Sequence, residues 1–278
     1  TPIYTVDGKS YWRAPNGDCY RLYLFIEGAV CYDQVENADQ LYYAARAFGR
    51  FQNMLSDFPA DSLYEVIPRF HDTRNRFAML RDAIEENAAG RRDAVAEEIA
   101  FALARESDTG VVLDAIADGS VPLRVTHNDT KLNNVMLDEK TGEGVCVIDL
   151  DTVMPGSLLY DFGDALRFGA SSGAEDEKDL DRIYFRLDYF EAFVRGFVEE
   201  VGRSLTPREA ELLPFSAKLM TYECGIRFLT DYLAGDTYFR IHYPEQNLDR
   251  CHTQFKLVAD METKMDDMKA IVAKYVKN

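Results

Sequence analysis

The sequence predicts an α+β fold with a small β part at residues 1–33 and a large, mostly helical part at residues 34–278. Two observations support this division. The N-terminal part contains short apolar segments that alternate with turn residues, whereas apolar residues recur with helical spacing from residue 37 onward. A third observation places a small β platform within the helical part. There, three short apolar segments between residues 123 and 148 are separated by polar loops and a turn.

Composition and charge narrow the class of protein. The chain has 278 residues, of which 47% are hydrophobic and 28% charged, and these values are ordinary for a globular protein. A net charge of −17 repels phosphate backbones, so no nucleic-acid partner is expected. Five scattered cysteines without metal-ligand spacing, no secretory segment and no bilayer-length apolar run predict a cytoplasmic protein with no membrane contact. The oligomeric state is not indicated.

The N-terminal segments have the pattern of β-strands. Ser10–Arg13 is followed by a turn at Pro15–Asp18 and then by Cys19–Ile26. The stretch Tyr20–Gly28 alternates toward an apolar end and predicts one strand that stops at the glycine.

Helical patterns account for most of the remaining chain. Asn37 or Asp39 is expected to cap the first helix, which has apolar residues at positions 41, 44, 45, 48, 51 and 55. The sequence Thr206-Pro207-x-Glu209 is typical of a helix N-terminus. Further helices are predicted at residues 72–86, 91–105, 109–117, 182–201, 207–234 and 244–276.

The most informative pattern lies in the predicted β platform. Asn134 follows Asp129 by five residues, and Asp149 ends an apolar segment fifteen residues after Asn134. A strand–loop–strand–turn–strand arrangement would bring these three side chains together. Phosphoryl transfer requires such a set, with one carboxylate on the acceptor hydroxyl and an amide and a second carboxylate on the metal. The pattern therefore predicts Asp129 as the catalytic residue and Asn134 and Asp149 as ligands of Mg²⁺ (or Mn²⁺) bound with ATP. The alternative is that these residues only cap turns.

This motif and the sequence around it resemble a known family. Residues 126–134 (His-Asn-Asp motif), residues 147–156 and residues 20–27 are similar to the aminoglycoside phosphotransferase/choline kinase-like family. Together with residues 223–233, they most resemble the N-acetylhexosamine 1-kinases within that group. The resemblance implies a protein-kinase-like bilobal fold, ATP as phosphate donor and the anomeric hydroxyl of an N-acetylhexosamine sugar as acceptor.

The resemblance also implies roles for residues outside the catalytic motif. The backbone of Phe25, Ile26 and Glu27 would contact the adenine of ATP. His127 would be a scaffold residue that bonds backbone near the metal-binding Asp, and Asp164 would brace the catalytic loop. 

The N-terminal part lacks two features that the resemblance implies. No G-x-G-x-x-G occurs in the sequence, and Lys9 is the only Lys before Lys131. Lys9 follows an Asp-Gly turn and does not lie within an apolar strand. We interpret residues 1–33 as the remaining part of a β lobe whose Gly-rich loop and phosphate-binding Lys are absent, so that this chain is expected to be poorly active.

Two residues of the helical part are predicted to bind the sugar. Arg227 interrupts an otherwise apolar helix, and Tyr238 follows a helix stop at Gly235-Asp236. A guanidinium and a phenol suit an acetamido carbonyl and ring hydroxyls. The alternative is that Arg227 pairs with a core acid and Tyr238 packs.

Other functions stay open on the sequence alone. The acceptor could be choline or another small alcohol, which would require an aromatic and acidic cage. The chain could also be a kinase-like module that binds nucleotide or sugar without transfer. The segment from Cys146 to Val153 fits the start of a haloacid-dehalogenase-type phosphatase, although that motif opens a parallel sheet and leaves Asp129 and Asn134 without a role.

Overall fold

The computed structural model describes residues 1–276 and has an α+β fold in which helices predominate. The strands are β1 Pro2–Ile3, β2 Trp12–Arg13, β3 Cys19–Tyr20, β4 Leu22–Tyr23, β5 Ala29–Val30, β6 Arg124–Thr126, β7 Val135–Asp138, β8 Gly144–Val147 and β9 Met154–Gly156. The α-helices are α1 Ala38–Met54, α2 Thr73–Glu86, α3 Ala96–Leu103, α4 Val111–Ala117, α5 Leu158–Gly169, α6 Leu187–Val201, α7 Pro207–Ala234, α8 Gln246–Thr263 and α9 Met265–Tyr275.

The N-terminal strands are short and exposed. Strand β1 pairs with β4, and β2 pairs with β3, each over two residues and each antiparallel. The predicted continuous strand over residues 20–28 is therefore wrong. Its β structure ends at Tyr23, and Phe25 is 84% exposed. A strand needs a partner along its length, and within the described chain β4 has only the two residues of β1 as its partner.

Of the three segments predicted to form one platform at residues 123–148, only β7 and β8 share a sheet, which is three-stranded and antiparallel. Its order is β5-β7-β8, and Val135 pairs with Val147. Strand β6 pairs separately with β9, so that Thr126 lies opposite Met154. Consecutive strands β7 and β8 form a hairpin, which differs from the parallel sheet that the phosphatase alternative requires.

The helices pack into a core around α7. Helix α1 packs on α6, while α5 and α8 pack on α7. Asn37 caps α1 by accepting a hydrogen bond from the Gln40 amide. Thr206 and Glu209 cap α7 reciprocally. The N-terminal caps predicted for these two helices are confirmed, as is the span of α7.

Two predicted helices are interrupted. Residues 91–105 begin as a 3-10 turn at Arg92–Val95 and become α-helical only from Ala96, since neither Arg91 nor Val95 caps the segment with its side chain. Residues 244–276 divide into α8 and α9 at Lys264, whose φ of −103° and ψ of 5° depart from helical values. In the described range, residues 1–276, no helix is both long and apolar enough to cross a membrane.

A glycine determines how closely α5 approaches α7. A Cβ built on Gly163 would lie 2.4 Å from the Ser216 carbonyl oxygen and 2.6 Å from the Met220 side chain. Only a residue without a side chain fits this crossing. Because α5 carries Asp161 and Asp164 and α7 carries Glu223 and Arg227, this contact brings three carboxylates and one guanidinium group to the candidate site.

Candidate active site

The loop after β6 is held by the start of α5. Asp161 is buried and accepts hydrogen bonds from the backbone amides of His127 (2.9 Å) and Asn128 (2.8 Å). Asp164, one turn later, accepts from the Thr130 amide at 3.0 Å. The two carboxylates therefore fix the backbone on both sides of Asp129.

Burial and neighbouring charge act differently on these two carboxyls. Burial raises the pKa of Asp161, and the hydrogen bonds from His127 and Asn128 only partly offset this. Burial also opposes ionisation of Asp164, but the positive charges of Arg167 and Lys131 outweigh it and lower the pKa of that carboxyl.

His127 connects the loop to the end of β8. Its Nδ1 accepts a hydrogen bond from the Asp129 amide at 3.3 Å, so the ring proton is on Nε2, which donates to the Ile148 carbonyl at 2.8 Å. The ring is fully buried and packs edge-on against Phe48 and Phe51. His127 thus lies between Asp129 and the residue that precedes Asp149.

Asp129 and Asn134 are in direct contact. The Asn134 Nδ2 donates to the carbonyl and to the Oδ2 of Asp129, at 2.7 and 3.0 Å. Lys131 Nζ lies 2.8 Å from Asp129 Oδ1. Burial lowers the pKa of Lys131, but its hydrogen bond to Asp129 outweighs this and raises the pKa overall. The Asp129 carboxylate is therefore held between an amide and an ammonium group and keeps partial exposure, at 25% of its side chain.

Asp149 lies beside Asn134 across the β7–β8 hairpin. The Ile148 amide donates to the Asn134 carbonyl at 2.9 Å, and Asp149 follows with a left-handed backbone of φ 58° and ψ 58°. Asp and Asn tolerate that conformation better than other residues with a Cβ. The side chain of Asp149 is exposed.

The donor set of this hairpin fits a hard cation. The Asn134 amide nitrogen is engaged by Asp129, which leaves its Oδ1, and Asp149 adds a carboxylate. Oxygen donors of this kind suit Mg²⁺, which keeps several water ligands. Among residues 1–276, no group of three or more His, Cys, Asp or Glu side chains forms a metal site by itself. A cation here would therefore take most of its ligands from water and phosphate.

A cavity of about 310 Å³ opens beside Asp129. Its wall carries charged groups of both signs and three phenylalanine rings. The basic lining residues are His71, Lys131, Arg167, Arg227, Arg240 and Arg250; the acidic ones are Asp129, Asp164, Glu175 and Glu223; the rings are Phe70, Phe228 and Phe239. The cavity is thus a polar site of small-molecule size.

The two predicted sugar-binding residues differ in their position. Arg227 lines this cavity together with Asp129. Tyr238 does not, and instead lines a neighbouring, more apolar cavity while its side chain is 65% exposed. Tyr238 therefore does not line the cavity that Arg227 shares with Asp129. The adjacent Phe239 takes the place in the wall, because the Asp231 carboxylate accepts hydrogen bonds from three successive amides and fixes this turn.

The predicted nucleotide contacts lie on the N-terminal side of the central sheet. Phe25 and Glu27 are exposed and Ile26 is half-buried, immediately before β5. Their role stays a prediction.

Several residues of the site were missed at the sequence level. Asp161 lies twelve residues after Asp149 and Asp164 lies fifteen residues after it. The resemblance implies a bracing role for Asp164 alone, whereas in the structure both carboxylates hold the loop. Lys131 is two residues from Asp129, and this short spacing is a sequence signal for a contact between the two side chains. His71 and Glu223 are brought into contact only by the fold, and no local sequence pattern predicts that contact.

Comparisons with known proteins bear on the family and the fold of this chain. The model of the phosphotransferase enzyme family APH matches residues 4–197. Among solved structures, the microcompartment-associated aminopropanol kinase has a TM-score of 0.54 at 16% identity, over 97% of this chain and 76% of the other. An aminoglycoside phosphotransferase from Alicyclobacillus acidocaldarius has a TM-score of 0.57 at 14% identity, over 98% and 77%. A choline/ethanolamine kinase family protein from Mesorhizobium loti has 0.50 at 18%, over 95% and 77%.

These similarities confirm the kinase-like α+β fold, with a small β part and a large helical part, whereas the boundary at residues 33 and 34 stays a prediction. At such low identities the solved structures bear on the fold alone. The family match covers most of the chain, and on that ground the chain belongs to the APH phosphotransferase enzyme family.

Proposed function

We propose that this phosphotransferase is an ATP-dependent sugar kinase that phosphorylates the anomeric hydroxyl of an N-acetylhexosamine. Membership of the family supports phosphoryl transfer, and the sequence resemblance supports the sugar. The proposal also requires that the cavity beside Asp129 receives a neutral, hydroxyl-rich acceptor.

Asp129 and the residues around it would have distinct roles in phosphoryl transfer. Asp129 orients the attacking hydroxyl and accepts its proton, and Lys131 stabilises negative charge at the same point. Asn134 and Asp149 would hold Mg²⁺, which neutralises charge on the ATP phosphates. His127, Asp161 and Asp164 keep the loop in place, and the backbone at Phe25, Ile26 and Glu27 would contact adenine.

One observation favours a sugar over choline as acceptor. A quaternary ammonium group binds over open aromatic faces. In this cavity the guanidinium carbon of Arg227 lies 5.2 Å from the Phe70 ring centroid and 5.5 Å from that of Phe239. The guanidinium carbon of Arg250 lies 5.4 Å from the Phe228 centroid. Each phenylalanine ring of the wall thus already has an arginine beside it, and a choline group would compete with that arginine for the ring.

Arg227 is the group that suits the acetamido substituent. Its planar guanidinium can donate two hydrogen bonds to a carbonyl oxygen, and the surrounding rings can pack against a methyl group. Tyr238 lies at the other side of Arg227, with its ring centroid 5.9 Å from the guanidinium carbon. We expect Tyr238 to act on the sugar through Arg227 or through movement of the exposed ring.

Binding and transfer can be tested separately. Calorimetric titration of the chain with N-acetylglucosamine, N-acetylgalactosamine, glucose, choline and ethanolamine should show binding of the two acetamido sugars. An ADP-release assay with the same compounds should follow the same preference. The methyl glycoside of N-acetylglucosamine is the matched control, because its anomeric oxygen is blocked; it should bind and not be phosphorylated.

The reaction product provides a further check. Phosphorylation at the anomeric oxygen removes the reducing end of the sugar, so reducing-sugar content should fall in step with ADP release. Binding of choline in preference to the acetamido sugars, or transfer to the methyl glycoside, would contradict the proposal.

A further inference from the structure

A buried histidine lines the cavity, and one of its ring nitrogens has no hydrogen-bond partner among the described residues. His71 is 8% exposed and lines the same cavity as Asp129. Its ring centroid lies 4.4 Å from that of Phe70 and 5.2 Å from that of Tyr160, so its plane is fixed by packing. Within the described part of the chain its Nε2 is buried and makes no hydrogen bond. Buried polar atoms are nearly always paired, so this nitrogen lacks a partner that a ligand in the adjacent cavity could supply.

Glu223 fixes the orientation of this ring. Its Oε1 lies 2.8 Å from His71 Nδ1, and its other oxygen accepts from the Thr73 hydroxyl. Burial would raise the pKa of Glu223, but the charges of His71 and Arg227 and the bond from Thr73 outweigh burial and lower it. An ionised carboxylate can only accept hydrogen bonds, so Nδ1 carries the proton in this pair.

The unused nitrogen selects the class of ligand atom. Nε2 accepts a hydrogen bond in the neutral imidazole and donates one in the imidazolium. An ammonium group only donates and a carbonyl only accepts, whereas a hydroxyl does both. A hydroxyl is therefore the ligand group that satisfies Nε2 in either state.

We propose that His71 is a specificity-determining residue whose Nε2 binds a ring hydroxyl of the acceptor sugar that is not the phosphorylated one. This inference rests on the proposed function, because it requires a sugar in the cavity. His71 precedes α2, and its partner Glu223 is one helical turn from Arg227 on α7. A sugar held by both His71 and Arg227 would be fixed at two points away from Asp129, which determines the hydroxyl that reaches the catalytic carboxylate.

Deoxy sugars can identify this contact. The chain would be titrated calorimetrically with N-acetylglucosamine and with its 3-deoxy, 4-deoxy and 6-deoxy analogues. We expect one analogue to bind about 5- to 150-fold more weakly, the range for leaving a buried hydrogen-bonding atom unpaired. In His71→Asn the amide can still donate to Glu223 but ends short of Nε2. That variant should bind the parent sugar more weakly by a similar factor and should no longer distinguish the sensitive analogue.

Two controls separate recognition from structure. His71→Gln places its amide near the position of Nε2 and should retain part of the discrimination. His252→Asn removes the hydrogen bond of another His–Glu pair, between His252 Nε2 and Glu98 at 2.7 Å, outside this cavity, and should bind all four sugars as the unchanged chain does.

The possible failures are distinguishable. If the unchanged chain binds no sugar, the proposed acceptor is wrong and this inference is wrong with it. If the sugar binds but folded His71→Asn keeps the full affinity and discrimination, only the role of His71 is wrong. Should circular dichroism show that His71→Asn is unfolded, His71→Gln decides: reduced discrimination supports the role, and full affinity and discrimination in the folded variant contradict it.

Discussion

At the scale of single residues, the site consists of charged groups that hold one another in place. The Asp129 carboxylate contacts Asn134 and Lys131, and its loop is bonded to Asp161 and Asp164. Such an arrangement limits rotation of Asp129 before any substrate arrives.

The role of Asp129 leads to a first prediction. Asp129→Asn removes the proton acceptor while it keeps the size of the side chain, so kcat should fall by about 10²- to 10⁴-fold. The KM for ATP should change little. Initial rates of ADP release measure both, with the exposed Asp57→Asn as matched control. A kcat equal to that of the unchanged chain would remove Asp129 from the mechanism.

A second residue-scale prediction concerns Arg227. Arg227→Ala removes the guanidinium from the cavity wall and should raise the KM for N-acetylglucosamine by about 10-fold or more, as expected for loss of a charged hydrogen bond. The KM for ATP should stay nearly constant. Arg208→Ala, in the first turn of the same helix and half-exposed with Glu211 as its partner, is the control. Equal effects on both substrates would indicate a structural role for Arg227.

At the scale of elements, sequence prediction succeeded where the determining signals are local. Helices α1 and α7 are predicted from the residues at their N-termini and from helical patterns, and the β7–β8 hairpin from its turn. It failed where partners are distant in the chain. The strand expected at residues 20–28 needs neighbours that its own pattern does not specify, and the contact of His71 with Glu223 joins residues that are 152 positions apart.

The crossing of α5 and α7 gives an element-scale prediction. Helix propensity alone favours Ala over Gly by about 1 kcal/mol, yet Gly163→Ala should destabilise the protein by about 1–3 kcal/mol because its Cβ meets the Ser216 backbone. Urea denaturation measures this. Gly169→Ala in the same helix is the control: it meets a Leu41 methyl group that can move, so its cost should be smaller. A more stable Gly163→Ala variant would show that the helices can separate freely.

At the scale of the whole molecule, the net charge of −17 is combined with buried acids at the site. The pKa of Glu223 is lowered in the folded state, so the folded-state value lies below the unfolded value of about 4.3. Glu223 therefore contributes stability above that pH, and this contribution is lost as the pH falls through its folded-state pKa. Asp164 acts in the same direction, and Asp161, whose pKa is raised, acts in the opposite one.

These directions of the pKa shifts predict how the stability of the protein changes at acidic pH. The free energy of unfolding should decrease as the pH falls below about 4.3, and in Glu223→Gln this decrease should be shallower because one depressed carboxyl is gone. Urea denaturation between pH 3 and pH 7 measures the slope. The exposed Glu211→Gln should keep the original slope. An unchanged slope in Glu223→Gln would mean that this carboxyl has the same pKa in both states.

The origin of the cavity wall has a consequence for how this protein can diversify. Asp129, Asn134 and Asp149 belong to the loops around β7 and β8, whereas His71, Glu223 and Arg227 belong to the start of α2 and to α7. Mutations that alter the shape of the wall can therefore accumulate without altering the residues that we propose to transfer phosphate. Selection for a new acceptor can act on the codons for the helical wall, while the codons for the loops proposed to handle phosphate stay under separate purifying selection.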